Sequence, residues 1–185
     1  LCLCLAGQAS AEKIQVSTTD PGSGTPEHLY SMKNSNGQYA NGTTAPTFNP
    51  ANYGQFAFYE SGTANAYFIY SYTAEKWLTY TKASSYSNKI SFVTLTDTKP
   101  TTAYFKFNNY SGDLYEISPV TSSGSTDKYL NWYQGLGSNP ADGTTTLGLW
   151  QQGGSQDAGS GWTFSQTGEI SIPFTSDNGS WTATN

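Results

Sequence analysis

Hydrophobic and polar residues alternate in short runs along this chain and never settle into a helical period. Tyr67-Phe-Ile-Tyr-Ser-Tyr72, Ile90-Ser-Phe-Val-Thr-Leu95, Tyr104-Phe-Lys-Phe107 and Leu114-Tyr-Glu-Ile117 are rich in aromatic and β-branched residues and end at turn formers. Successive side chains on a strand face opposite ways, so this patterning between Gly, Ser, Thr and Asn clusters predicts strands. No stretch carries apolar residues at the i, i+3, i+4, i+7 spacing of an amphipathic helix. Several short strands at such spacing predict a sandwich or a barrel.

The runs also repeat. Tyr30 to Ala40 lies over Phe68 to Leu78 without a gap, setting Tyr30 on Phe68, Met32 on Tyr70, Tyr39 on Trp77 and Ala40 on Leu78. A third copy runs from Tyr115 and Ile117 to Lys128-Tyr-Leu130, with extra residues around Ser122 to Thr126. Each copy is followed by an aromatic-x-Phe pair: Phe56 and Phe58, Phe105 and Phe107, Trp162 and Phe164. Three units follow, at about 27–63, 64–112 and 113–166. Each has two strands, a variable segment with room for a third, and a closing strand. A unit this small cannot bury its own apolar face, whereas three together close a common core. On this reading Tyr39, Trp77 and Tyr129, with the opening and closing pairs, point inward, and Trp77 and Trp162 are core.

Carried by these residues, the arrangement resembles the β-trefoil of the ricin-B-like lectin family over about residues 26–166. The expected fold is all-β, a β-trefoil of three pseudo-repeats with about twelve short strands. The Gln-x-Trp element that the family carries near the end of each unit is not present in that form; Trp150-Gln-Gln152 and Gly161-Trp-Thr-Phe164 only echo it.

The ends read differently. Leu1 to Leu5 look like the end of an apolar leader, and Ala9-Ser10-Ala11 fits the small-x-small rule with cleavage before Glu12. Residues 1–11 are therefore read as the remnant of a truncated secretory leader, 12–26 as a linker, and 27–166 as the trefoil. Residues 167–185 are read as a C-terminal extension, either a linker or the start of a further domain. Both cysteines, Cys2 and Cys4, fall in the leader, so the mature chain would have neither a disulfide nor a thiolate. Export without disulfides suits a bacterial periplasm or cell surface, or secretion.

Charge narrows the function. The net charge is −5, and the 13 acids outnumber 8 bases. A nucleic-acid surface needs a basic stripe, so no nucleic-acid partner is expected. No apolar run reaches spanning length, so no membrane insertion is expected. The single histidine, His28, lies at a strand start, and no Gly-x-Ser-x-Gly elbow accompanies it. Asp127, Asp142 and Asp157 form no dense carboxylate loop. No catalytic residue, metal or cofactor is assigned.

Sugar binding remains. A saccharide presents apolar C–H faces and a ring of hydroxyls, which call for an aromatic platform beside Asp, Asn or Gln. The third unit has these in quantity: Asn131, Trp132, Tyr133, Asp142, Trp150, Gln151 and Asp157. The family resemblance implies one shallow pocket among them. Tyr80, Tyr86 and Asn88 are a weaker set in the second unit. Trp132 alternates in phase with Leu130 and has a core reading as well. The function expected is a non-catalytic, lectin-like carbohydrate-binding module of an exported bacterial protein, directing an attached enzyme to glycans. Two alternatives stand beside it. One is a structural or protein-docking trefoil without a sugar site. The other is the leading piece of a secreted glycoside hydrolase or peptidase.

Overall fold

The computed structural model describes residues 16, 27–35, 37, 39–40, 53–82, 89–120, 129–133, 146–150 and 159–170. Ten strands run through them. They are β1 (Glu27–Asn34), β2 (Phe56–Glu60), β3 (Ala66–Ser71), β4 (Lys76–Lys82), β5 (Lys89–Thr96), β6 (Phe105–Ser111), β7 (Leu114–Pro119), β8 (Tyr129–Tyr133), β9 (Thr146–Trp150) and β10 (Gly161–Ile170). Their order in the sheet is β2-β1-β10-β7-β6-β3-β4-β5-β9-β8, and β2 pairs in addition with β3. That last pairing closes β1, β2, β3, β6, β7 and β10 into a ring. A closed ring leaves no exposed edge along those six strands. The other four strands form two hairpins, β4–β5 and β8–β9, joined to each other through β5 and β9.

The register of the ring repeats three times. Within each unit, Tyr30 lies opposite Phe56, Tyr67 opposite Phe105, and Tyr115 opposite Trp162. Between units, Phe58 lies opposite Ile69, Phe107 opposite Ile117, and Phe164 opposite Met32. A rotation that carries one unit onto the next requires such recurrence. The chain is therefore a β-trefoil, each unit giving its first and last strands to the barrel. Among the described residues of the first unit, a bridge between Lys33 and Tyr39 marks the start of the outer hairpin.

The closing pairs explain what fills the barrel. The rings of Phe58, Phe107 and Phe164 form a near-equilateral triangle, with centroids 5.3, 5.4 and 5.6 Å apart. Each of these rings also meets the tyrosine that opens its own unit: Tyr30 on Phe58 at 5.6 Å, Tyr67 on Phe107 at 5.3 Å, and Tyr115 on Phe164 at 5.6 Å. Tilted and edge-on aromatic pairs of this kind add roughly 0.5–1.5 kcal/mol each beyond the area they bury. Met32, Ile69 and Ile117, all fully buried, complete the same core. Phe56, Phe105 and Trp162 lie beside Ala40, Leu78 and Leu130 in it, and Trp162 Nε1 donates a hydrogen bond to the Leu130 carbonyl at 2.8 Å. Val16 packs on this core from outside the ten strands.

Two sequence expectations need correction. The pair that opens the second unit is Tyr67 and Ile69, one residue before Phe68 and Tyr70. Phe68 belongs to a separate outer cluster, with Tyr70 packed against it. The pairing of Lys33 with Tyr39 matches that of Tyr70 with Trp77, so the first unit's turn is one residue shorter than the second's. The gapless alignment hid that deletion, because β3 is aromatic at both parities. The second correction concerns the aromatic residue that opens the second strand of each unit. The central core takes Ala40, Leu78 and Leu130, while Trp77 belongs to the outer cluster and Tyr39 and Tyr129 are only half-buried. Trp162 is core, as expected.

The turns follow from local chemistry. Gly112 opens the β6–β7 hairpin at φ 60°, where a side chain would be strained, and Asn109 Nδ2 donates to the Gly112 carbonyl at 2.6 Å. At the seam between the chain's first and last barrel strands, β10 continues to Ile170 because Glu27 of β1 is there to pair with it.

Phe58→Ala removes a fully buried ring from the triangle, and a loss of about 3–5 kcal/mol is expected in urea unfolding. Phe164→Ala is expected to cost less, since Phe164 is only half-buried. The double variant should show a coupling of at least about 0.5 kcal/mol, as for side chains in direct contact.

Candidate functional site

The third-unit residues proposed for sugar binding are only partly described. Asp142, Gln151 and Asp157 lie outside the described residues. Asn131, Trp132 and Tyr133 fall on β8 and Trp150 on β9. In register Trp132 lies opposite Leu147 and Trp150 opposite Tyr129, so the two tryptophans hold positions of unlike parity on the hairpin. The hairpin forms here because Leu130, Leu147 and Leu149 bury themselves in the central core. Asn131 is 6% exposed, and its Nδ2 donates to Ser160 Oγ at 2.8 Å. That bond ties β8 to the turn entering β10, and it satisfies a polar group that would otherwise be costly to bury. Of the weaker second-unit set, Tyr86 and Asn88 lie outside the described residues. Tyr80 is half-buried with its ring 5.9 Å from Phe105, against the core.

An aromatic cluster that the sequence reading did not single out lies on the outside of the barrel wall in the second unit. Residues of β2 and β3 that alternate with the core positions meet there: Ala57 and Tyr59, Phe68 and Tyr70. Trp77 of β4 packs among them, 5.1 Å from Tyr59 and 5.0 Å from Tyr70. Tyr59 and Tyr72 share a hydroxyl hydrogen bond at 3.3 Å. Lys99 lies across the top, its Nζ 5.1 Å from the Phe68 ring and 5.4 Å from the Trp77 ring. A lysine stem laid over rings while its ammonium stays wet is a cover for apolar surface. Phe68 and Trp77 are correspondingly 7% and 4% exposed.

The equivalent place in the first unit is open. Tyr39 holds the position that Trp77 holds, and Lys33 Nζ lies 5.4 Å from its ring. Tyr53 stands 6.0 Å from Tyr39 with the two rings tilted by 49°. Here Tyr53 is 54% exposed, which leaves ring area in water. Gly54 anchors this arm, its N–H donating to the Ala40 carbonyl at 2.6 Å. The signal available in the sequence was the recurrence of Tyr39 and Tyr53 on either side of an Asn- and Thr-rich segment.

Burial at the barrel acts on two tyrosines. Burial pushes the Tyr67 hydroxyl above its ordinary range, with Glu60 and then Tyr115 adding to the shift. Burial does the same to Tyr80, with Tyr104 adding. His28 lies beside Gln166 at 3.1 Å and Glu169 at 3.5 Å, on the seam between β1 and β10. No group of three His, Cys, Asp or Glu that could hold a metal occurs among the described residues.

Set against solved structures, the chain is similar to a designed threefold-symmetric protein, ThreeFoil. The TM-score is 0.50 at 12% identity, over 74% of this chain and 96% of that one. A likeness at this identity speaks to the fold alone, and it agrees with the threefold register of the barrel. No protein-family model matches the chain, and neither does any curated protein.

Asn131→Ala removes the buried hydrogen bond to Ser160, and a loss of about 1–3 kcal/mol in unfolding free energy is expected. The raised Tyr67 and Tyr80 groups stabilise the fold below the unfolded tyrosine value, near 10, and that contribution is lost as pH rises through their folded values. Urea unfolding at pH 9 and pH 11 should therefore show a steeper alkaline loss for the parent chain than for Tyr67→Phe.

Proposed function

We propose that this chain is a non-catalytic carbohydrate-binding module, lectin-like in action, of an exported bacterial protein. The observation that carries the reading is the Tyr39–Tyr53 pair, two tilted rings on the outside of a trefoil with one of them half in water. Such rings offer a face to the C–H surface of a pyranose and hydroxyls to its rim. The third unit adds Tyr133 and Trp150 at positions of like parity on one hairpin, with Trp132 on the other face and Asp142, Gln151 and Asp157 nearby in sequence. The low charge and the threefold design support a scaffold that presents several weak, separate contacts.

In this role the module raises the local concentration of an attached enzyme on a glycan. Affinity per contact is low, and it grows when units or neighbouring modules engage together. The chain carries no chemistry of its own. Its place is the periplasm, the cell surface or the medium.

The test is a glycan array probed with the intact chain, followed by titration calorimetry on the best ligand. Retention of at least one glycan class is expected. Loss of one stacking ring, as in Tyr53→Ala or Trp150→Ala, should weaken binding about fivefold, the equivalent of roughly 1 kcal/mol. Silence across plant, microbial and host glycans contradicts the reading and leaves a trefoil that docks to protein in its place.

A further inference from the structure

The first and second units set a lysine over the same structural position by different routes. In the second unit the lysine is Lys99, from the segment between β5 and β6, and it seals rings that are already buried. In the first unit it is Lys33, from β1 itself, and the rings beside it are not sealed: Tyr39 is half-buried and Tyr53 is 54% exposed. One lysine serves as a lid over buried rings, and the other lies over the Tyr39 ring beside the exposed Tyr53.

Three features fix Lys33 there. Its carbonyl accepts a hydrogen bond from Thr163 Oγ1 at 3.3 Å, and its strand is paired along its whole length with β10. Gly37 turns back at φ 86°, and a Cβ on it would reach the Lys33 stem at 3.9 Å, so the stem runs beside the turn. Among the described residues the Lys33 ammonium makes no ion pair, whereas Lys76 is held by Asp97 at 2.8 Å. The ammonium is thus beside a stacking surface, with a positive charge available to a ligand. The protein as a whole is negative, at −5, so its general field does not gather anions. An anion that binds here does so through local contact.

We infer that Lys33, Tyr39 and Tyr53 form a subsite for an acidic saccharide. A pyranose would stack on Tyr53 with its edge toward Tyr39, and its carboxylate or sulfate would take a charge-assisted hydrogen bond from the Lys33 ammonium that lies over Tyr39. The inference rests on the carbohydrate-binding reading and adds the class of sugar and the residue that selects it.

The experiment is calorimetry of the intact chain with uronic-acid oligosaccharides, their methyl-esterified counterparts and sulfated oligosaccharides of matching length. An acidic ligand is expected to bind at least about fivefold more tightly than the neutral ester, and added salt should narrow that gap. Lys33→Gln should weaken the acidic ligand by about fivefold, leave the ester unchanged, and keep the thermal midpoint of the parent. Lys33→Arg should restore most of the loss, and Tyr53→Ala should weaken both ligands together. Equal binding of acidic and neutral ligands, or acidic binding that Lys33→Gln does not change, overturns the subsite while the carbohydrate reading stands. Binding of no saccharide of either kind overturns the subsite, and the carbohydrate reading falls with it only if the glycan array is silent as well.

Discussion

Three phenylalanine rings meeting at one point hold the rest of this molecule in place. Phe58, Phe107 and Phe164 come from the last strand of each unit, and each can find the other two only if the six barrel strands close into a ring. No unit has enough apolar area to stand alone. The first unit completes the barrel through its pairing with the last strand, so β1 and β10 depend on each other across almost the whole described chain. The opening tyrosines and the Met or Ile two residues on fit between these rings, and the hairpins of the second and third units then lie against them through Leu78, Leu130, Leu147 and Leu149.

With the interior assigned to one set of alternating residues, the other set is left to face outward. What it does there differs from unit to unit. Against the second unit, Phe68, Tyr70 and Trp77 pack with Tyr59 of β2, and Lys99 covers Phe68 and Trp77, which adds a second small core to the wall. Among the described residues of the first unit fewer rings meet, and Tyr53 stays in water. Departures from symmetry of this kind are where binding can arise on a symmetric scaffold. A closed, satisfied unit supplies stability, and an open one supplies surface.

Much of the fold was legible in the residues. The aromatic-x-Phe pairs gave the three closing strands, and Tyr30 with Met32 and Tyr115 with Ile117 gave two of the three opening ones. The second unit was read one residue out of phase because Tyr67 to Tyr70 is apolar throughout, and a continuous run carries no phase. Only its partners across the sheet, Phe105 for Tyr67 and Phe58 for Ile69, settle which face is inner. Tyr39, Trp77 and Tyr129 were also read as core, when the smaller neighbours Ala40, Leu78 and Leu130 fill it. The site was less legible. Composition drew attention to Asn131, whose amide is engaged inside the fold by Ser160, a residue 29 positions away that no local pattern connects to it. Tyr39 and Tyr53 come together only through the chain's return to the barrel at Phe56.

The meeting of the three closing rings can be observed directly in solution. Ring protons of Phe58, Phe107 and Phe164, assigned by selective labelling, should give nuclear Overhauser cross-peaks for all three pairs, since their centroids lie within 5.6 Å of one another. A spectrum in which Phe164 shows no contact with either of the other two would contradict the closed threefold barrel on which the subsites depend.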